Sequence, residues 1–104
     1  MTIQFNTDKN IEGHERLEKF FTLELEKELA RVDEKLTRIE LHLGDENSNK
    51  GGVKDKRCMI EARPANMNPI AVSANADSIE KAFFQAVEKI KKTLNTTFEK
   101  QIEY

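Results

Sequence analysis

"PIAVSANADSIEKAFFQAVEKIKKTL", residues 69–94, changes its period partway along. The first part alternates, with Ile70, Val72 and Ala74 on one side, which predicts a half-buried strand. The second part repeats at three- and four-residue steps. Ile79, Phe83, Ala86, Val87, Ile90 and Leu94 form one apolar stripe, which predicts an amphipathic helix running to about Phe98. "DSIE" at 77–80 stands at the junction and has the form of an acidic capping box, with Asp77 as the cap and Glu80 three residues on.

Upstream, "RCMIEAR" (57–63) alternates again, with Cys58, Ile60 and Ala62 inward and Arg57, Met59, Glu61 and Arg63 outward. Pro64 stops that strand because proline has no ladder donor. "TRIELHL" (37–43) points Ile39, Leu41 and Leu43 one way and Arg38, Glu40 and His42 the other. "TIQFN" (2–6) alternates around Ile3 and Phe5. Between these two segments, from about Glu12 to Arg31, the period is helical. His14, Leu17, Phe21, Leu25, Leu29 and Val32 make the stripe, with Asn10 as a cap or pre-cap residue.

The order is β-α-β-β-β-α. Every strand has one apolar face and every helix one apolar stripe. The economical packing is an α+β fold: a four-stranded sheet with both helices on one face, in the manner of a double-stranded-RNA-binding domain. A right-handed crossover through the first helix sets the first strand parallel to the second. Residues 1–104 read as a single domain, with no repeat and no low-complexity tract.

Composition narrows the class. The chain is 38% hydrophobic and 35% charged, as in a soluble globular domain. No apolar run approaches the roughly 20 residues that span a bilayer. "MTIQFNTD" lacks the basic and apolar regions of a secretory signal. The single cysteine, Cys58, cannot form an internal disulfide, and a cytoplasmic location is expected. The net charge of −2 makes no whole-chain case for nucleic acid, so any such case rests on charge placement.

An enzyme is not expected. Cys58 and His42 point to opposite faces of the sheet, so they cannot share a metal or act as nucleophile and base. His14 falls on a buried stripe, and Cys58 reads as a small core side chain. Gly51-Gly52 lacks the lysine-serine context of a phosphate loop. No metal, cofactor or small-molecule substrate is implied.

Charge placement says more. Wound at about 100° per residue, Lys81, Gln85, Lys89, Lys92, Thr96 and Lys100 fall in one stripe about 100° wide beside the apolar face, with Glu99 the only acid within it and Glu88 just outside. On the first helix Arg16, Lys27 and Arg31 gather on one side and Glu15, Glu18 and Glu26 on the other. Residues 11–35 carry five cations and eight anions in all. Such a stripe commonly serves only solubility. It also matches a phosphate backbone, because lysines one helical turn apart are spaced about as phosphates are. With no tryptophan, one terminal tyrosine and phenylalanines that read as mostly buried, shape and phosphate recognition of folded RNA is favoured over base stacking.

The strand order, "TRIELHL", "KRCMIEAR" and the opening 26-residue stretch resemble the short ribosome hibernation-promoting factors, the family of ribosome-associated inhibitor A. The resemblance implies a stress factor that binds 16S rRNA of the small subunit between head and body, over the decoding centre, and stops translation. By position it implies RNA contacts from Lys81, Lys89 and Lys92, then Lys91, with Arg16, Lys27 and Arg31 as weaker matches. This chain departs in its acidic balance, its longer first helix and its longer opening loop. Its end soon after the second helix leads us to expect no C-terminal dimerising domain. A plain double-stranded-RNA-binding domain normally opens its second helix with a lysine cluster; here that place reads "DSIEKAF". The competing reading is a protein-interaction module that uses the mixed-charge sheet face or the acidic flank of the first helix.

"GDENSNKGGVKDKR" (44–57) is too long for a tight hairpin, whose loops run about 2–5 residues. Its charges nearly cancel, so the tip, 46–53, is expected to be secondary for RNA. Lys54, Lys56 and Arg57 stand where the loop enters the next strand and are expected to extend the contact made by the second helix.

Overall fold

The structure, a computed structural model, describes residues 1–8, 11, 14–45 and 55–102, with the side chains of residues 14 and 100–102 left out. The elements are β1 (Thr2–Thr7), α1 (His14–Glu28), a 3₁₀ segment (Ala30–Lys35), β2 (Leu36–Asp45), β3 (Lys56–Pro64), β4 (Ile70–Ala76) and α2 (Ile79–Ile102). The Asn10 cap and the loop tip at 46–53 lie outside the described residues, as does Lys54.

The sheet runs β1-β2-β3-β4. β1 is parallel to β2, with Ile3 beside Ile39 and Phe5 beside Leu41, as a helical crossover requires. β2 and β3 are antiparallel, with Leu41 opposite Ile60, and β3 and β4 likewise, with Ile60 opposite Val72. Both helices lie on one face of this sheet. Period-two alternation sends Ile39, Leu41, Leu43, Cys58, Ile60 and Ala62 into the core under Phe21, Leu25, Leu29, Phe83, Ile90 and Leu94. Ile3, Phe5, Ile70 and Val72 sit on the two edge strands and are only half-buried.

The helices lie side by side and run parallel. Phe21 stacks on Phe83 with ring centroids 4.1 Å apart. Further along, Lys91 Nζ donates to Glu28 Oε1 at 2.8 Å across 63 residues of sequence. Near the C-terminal end of α2, Lys35 Nζ lies 4.9 Å above the Phe98 ring. These pairs repeat at nearly one sequence offset, so the two axes keep register along the seam.

Four boundaries differ from the sequence expectation, each for a local reason. α1 stops at Glu28, and the chain tightens into the 3₁₀ segment, where Val32 N–H donates to Leu29 C=O at 3.1 Å. That turn keeps Leu29 and Val32 inward while the chain swings into β2, and it takes Arg31 off the α-helix. α2 runs four residues past Phe98 to Ile102, because Phe98 is itself a buried stripe position. Its cap is Ser78 rather than Asp77: Ser78 Oγ accepts from Lys81 N–H at 3.1 Å, which places Lys81 where a capping box has Glu. Asp77 instead pairs with Lys81 Nζ at 3.1 Å. Pro64 is the last residue of β3 rather than the one beyond it.

Among the described residues the other face of the sheet carries no helix. Register sets Arg38 opposite Arg63 and Glu40 opposite Glu61, pairs that would repel face to face. The side chains pair diagonally and along the strands instead. Glu40 takes Arg38 at 2.7 Å, His42 at 3.3 Å and Arg63 at 3.4 Å, and Glu61 takes Arg63 at 2.9 Å. Burial tends to raise the Glu40 pKa, but the His42 hydrogen bond and the two arginine charges outweigh it and hold the carboxyl below its ordinary value.

Cys58 is fully buried, and the loss of solvation pushes its thiol up to about 12. Native protein should therefore resist thiol reagents at neutral pH. Cys58→Ala should fold and lose about 1 kcal/mol for the small cavity, measured by denaturant unfolding. Rapid labelling would show that the strand opens.

The Glu28 carboxyl is held below its ordinary 4.5 by the hydrogen bond from Lys91 and by its charge. Glu28 thus binds a proton less readily folded than unfolded. Its contribution is complete above that pH and fades as pH falls through the folded value. Thermal melts should show wild type losing more stability than Glu28→Gln as pH falls below the ordinary 4.5 of a glutamate. Parallel losses would mean that the seam does not rely on this pair.

Candidate nucleic-acid interface

Apolar residues at helical spacing turn one side of α2 into the core, and what remains faces out. On that outer side Lys81, Gln85, Lys89, Lys92 and Thr96 are all exposed. Two contacts fix where the stripe lies. Lys89 Nζ donates to the Ser73 C=O of β4 at 2.7 Å, so the stripe leans toward the β4 edge. Lys91 faces the other way, toward α1, where Glu28 lies at 2.8 Å, and Glu88, one turn earlier on α2 itself, lies at 3.8 Å. The Lys100 side chain lies outside the described residues.

These lysines differ in how committed they are. Lys81 is 64% exposed, and its partner Asp77 is exposed as well. An ion pair in that setting is weak and exchanges readily for phosphate. Lys89 is bonded to a neutral carbonyl, so its charge is not cancelled. Lys91 is different: the Glu28 hydrogen bond raises its pKa, and two carboxylates surround it. Its role here is to join the helices.

On α1, Arg16 and Lys27 are exposed on the side turned partly toward α2. Arg31, on the 3₁₀ segment, borders a small cleft of about 40 Å³ with Glu28, Lys91 and Asn95. The outer surface of the helical layer thus holds two cationic bands, with Lys91 and its carboxylates between them. It is not one continuous strip.

The loop-base residues separate from this surface. Arg57 alternates with Cys58 and so stands on the open face of the sheet, where it borders a cleft with Asp8, His42 and Met59. Lys56 stands at the end of the sheet where α2 begins, but it is engaged by Asp55 at 3.1 Å and Asp45 at 3.4 Å. The Asp55 hydrogen bond leads the causes that raise its pKa. Lys56 closes the base of the hairpin, and Arg57 faces away from α2.

Two exposed rings went unread in the sequence. Phe20 is 45% and Phe84 42% exposed, with Leu23 at 59% nearby on α1. The signal was present as two doublets, Phe20-Phe21 and Phe83-Phe84. Adjacent residues on a helix point about 100° apart, so one ring of each doublet cannot face the core. Among the described residues no group of three or more His, Cys, Asp or Glu side chains is placed to hold a metal, and no helix is long and apolar enough to cross a membrane.

Comparison with known proteins agrees with this architecture. A ribosomal subunit interface protein from Coxiella burnetii superposes with a TM-score of 0.72 at 19% identity, over 95% of this chain and 99% of that one. The N-terminal domain of Thermus thermophilus Protein Y gives 0.67 at 18% identity, over 93% and 99%. At these identities the likeness is one of fold. No curated protein matches the chain by sequence. The sequence profile described as "Sigma 54 modulation protein / S30EA ribosomal protein" matches residues 5–102. By that match across nearly its whole length, the chain belongs to the sigma 54 modulation protein and S30EA ribosomal protein family.

Proposed function

We propose that this protein is a ribosome-associated hibernation factor that lays the outer face of its helical layer on 16S rRNA of the small subunit, near the decoding centre, and blocks translation. The carrying observation is the exposed stripe of Lys81, Lys89 and Lys92, with the Gln85 amide and Thr96 hydroxyl between them. Lysines there meet phosphates, while the amide and hydroxyl meet phosphate or sugar oxygens. Family membership supplies the ribosome as partner, and the similar folds include a ribosomal subunit interface protein. Occlusion of a channel asks for no catalytic group.

The open sheet face suits this role less well. Arg38, Glu40, Glu61 and Arg63 neutralise one another there, so an RNA phosphate would have to displace a carboxylate. The acidic side of α1, with Glu15, Glu18 and Glu26, repels phosphate and would face away from the rRNA.

The test is binding to purified 30S subunits over a salt series. Replacing Lys81, Lys89 and Lys92 with alanine should weaken binding and reduce the slope of log K against log salt by about 0.7–0.9 per lost contact. An unchanged slope in the triple variant would reject the stripe as the binding surface. Lys91→Ala should act differently, lowering stability more than it lowers the slope, because Lys91 joins the helices.

A further inference from the structure

We propose that Phe20 and Phe84 form a stacking platform for unpaired bases of the bound RNA. This rests on the reading of the helical layer as an RNA-docking face and goes beyond its phosphate contacts.

The two rings belong to a row of four that crosses from α1 to α2. Phe20 tilts at 60° against Phe21 with centroids 5.3 Å apart, Phe21 stacks on Phe83 at 4.1 Å, and Phe84 meets Phe83 edge-on at 5.1 Å. The inner two are fully buried and the outer two are each more than two-fifths exposed. Edge contacts hold the outer rings to a rigid base, so each presents ring surface to solvent and loses little freedom when a ligand arrives.

Their surroundings select the ligand. On the helical winding Phe20 lies about 40° from Arg16 and about 20° from Lys27, and Phe84 lies about 60° from Lys81. The rings therefore sit between the cationic band of α1 and the lysine stripe of α2. Glu24, Glu80 and the exposed Glu88 border the rings themselves, so a phosphate is unwelcome directly above them. Apolar faces between anion-binding bands match a nucleic acid strand whose bases are turned inward and whose phosphates lie outside. An A-form duplex hides its base faces, so the strand here has at least one splayed, unpaired base.

The chain has no tryptophan, so Phe20→Trp installs a single fluorescent reporter at the site. Titrating this variant with single-stranded octaadenylate should quench the emission, as stacking brings a base against the indole. By anisotropy, the Phe20→Leu/Phe84→Leu double variant keeps apolar bulk but removes both rings. It should bind labelled octaadenylate about fivefold or more weakly, by the usual worth of a base stack. Its affinity for an RNA duplex of equal length should be unchanged, and Phe20→Tyr should bind like wild type. Thermal melts identify any variant that misfolds, and the Trp reporter serves in its place.

Absence of quenching together with wild-type affinity in the leucine variant overturns the stacking platform, while leaving salt-dependent 30S binding, and hence the proposed function, intact. Equal loss toward duplex and single strand also overturns it, as does weakened 30S binding with octaadenylate unaffected, which would mark the rings as a protein contact. No binding of wild type to any RNA or to 30S subunits overturns both readings.

Discussion

The contact between Phe21 and Phe83, stacked 4.1 Å apart with their planes within 20° of parallel, sets the geometry of the helical layer. Two helices on one sheet face can slide or rotate unless something at their seam fixes both. The stacked pair does this, and its consequences run along the seam. Lys91 comes level with Glu28, and Lys35 settles over Phe98. The same rotation that turns Phe21 and Phe83 inward turns Phe20 and Phe84 out. The rotation of α2 also decides that its lysine stripe faces solvent beside β4, where Lys89 reaches the Ser73 carbonyl. Core packing thus positions the surface proposed to meet RNA.

The two faces of the molecule handle charge in opposite ways. On the open sheet face, like charges forced opposite one another by register are resolved through Glu40, which draws Arg38, His42 and Arg63 to itself. That network neutralises itself and leaves little field for a distant anion. On the helical face cations stand in bands, and between the bands Lys91 answers Glu28 and Glu88, while Glu24 and Glu80 stand beside the exposed rings. A chain with a net charge of −2 can therefore offer a cationic surface, because its acids are concentrated on the far side of α1 and in internal pairs.

The fold was legible because its signals are periodic and local. Ile39-Leu41-Leu43 and Cys58-Ile60-Ala62 alternate without interruption, and both helices carry unbroken stripes, so element type, order and core faces all emerge from spacing. Where the sequence misled, the cause was usually a competing local interaction. Asp77 and Ser78 are adjacent candidates for one cap, and only geometry shows that the Ser78 hydroxyl takes the Lys81 amide. Arg31 fits a helical winding until the 3₁₀ turn removes it. The pairing of Lys91 with Glu28 was not legible at all, because the two are 63 residues apart in sequence. Lys56 and Arg57 are neighbours in sequence, yet strand alternation sends them to different sides of the sheet. The exposed rings are legible in the sequence itself, since the two Phe-Phe doublets already require one ring of each to face outward.

The central claim is that the helical layer, and not the open sheet, faces the ribosome. A photo-reactive amino acid can be placed at Gln85, on the outer side of α2, or at Gln4, exposed on the open face of β1. Each variant is bound to 30S subunits, irradiated, and its cross-links mapped. The account predicts cross-links to 16S rRNA from position 85 and none from position 4. Cross-links from position 4 with none from position 85 would contradict it.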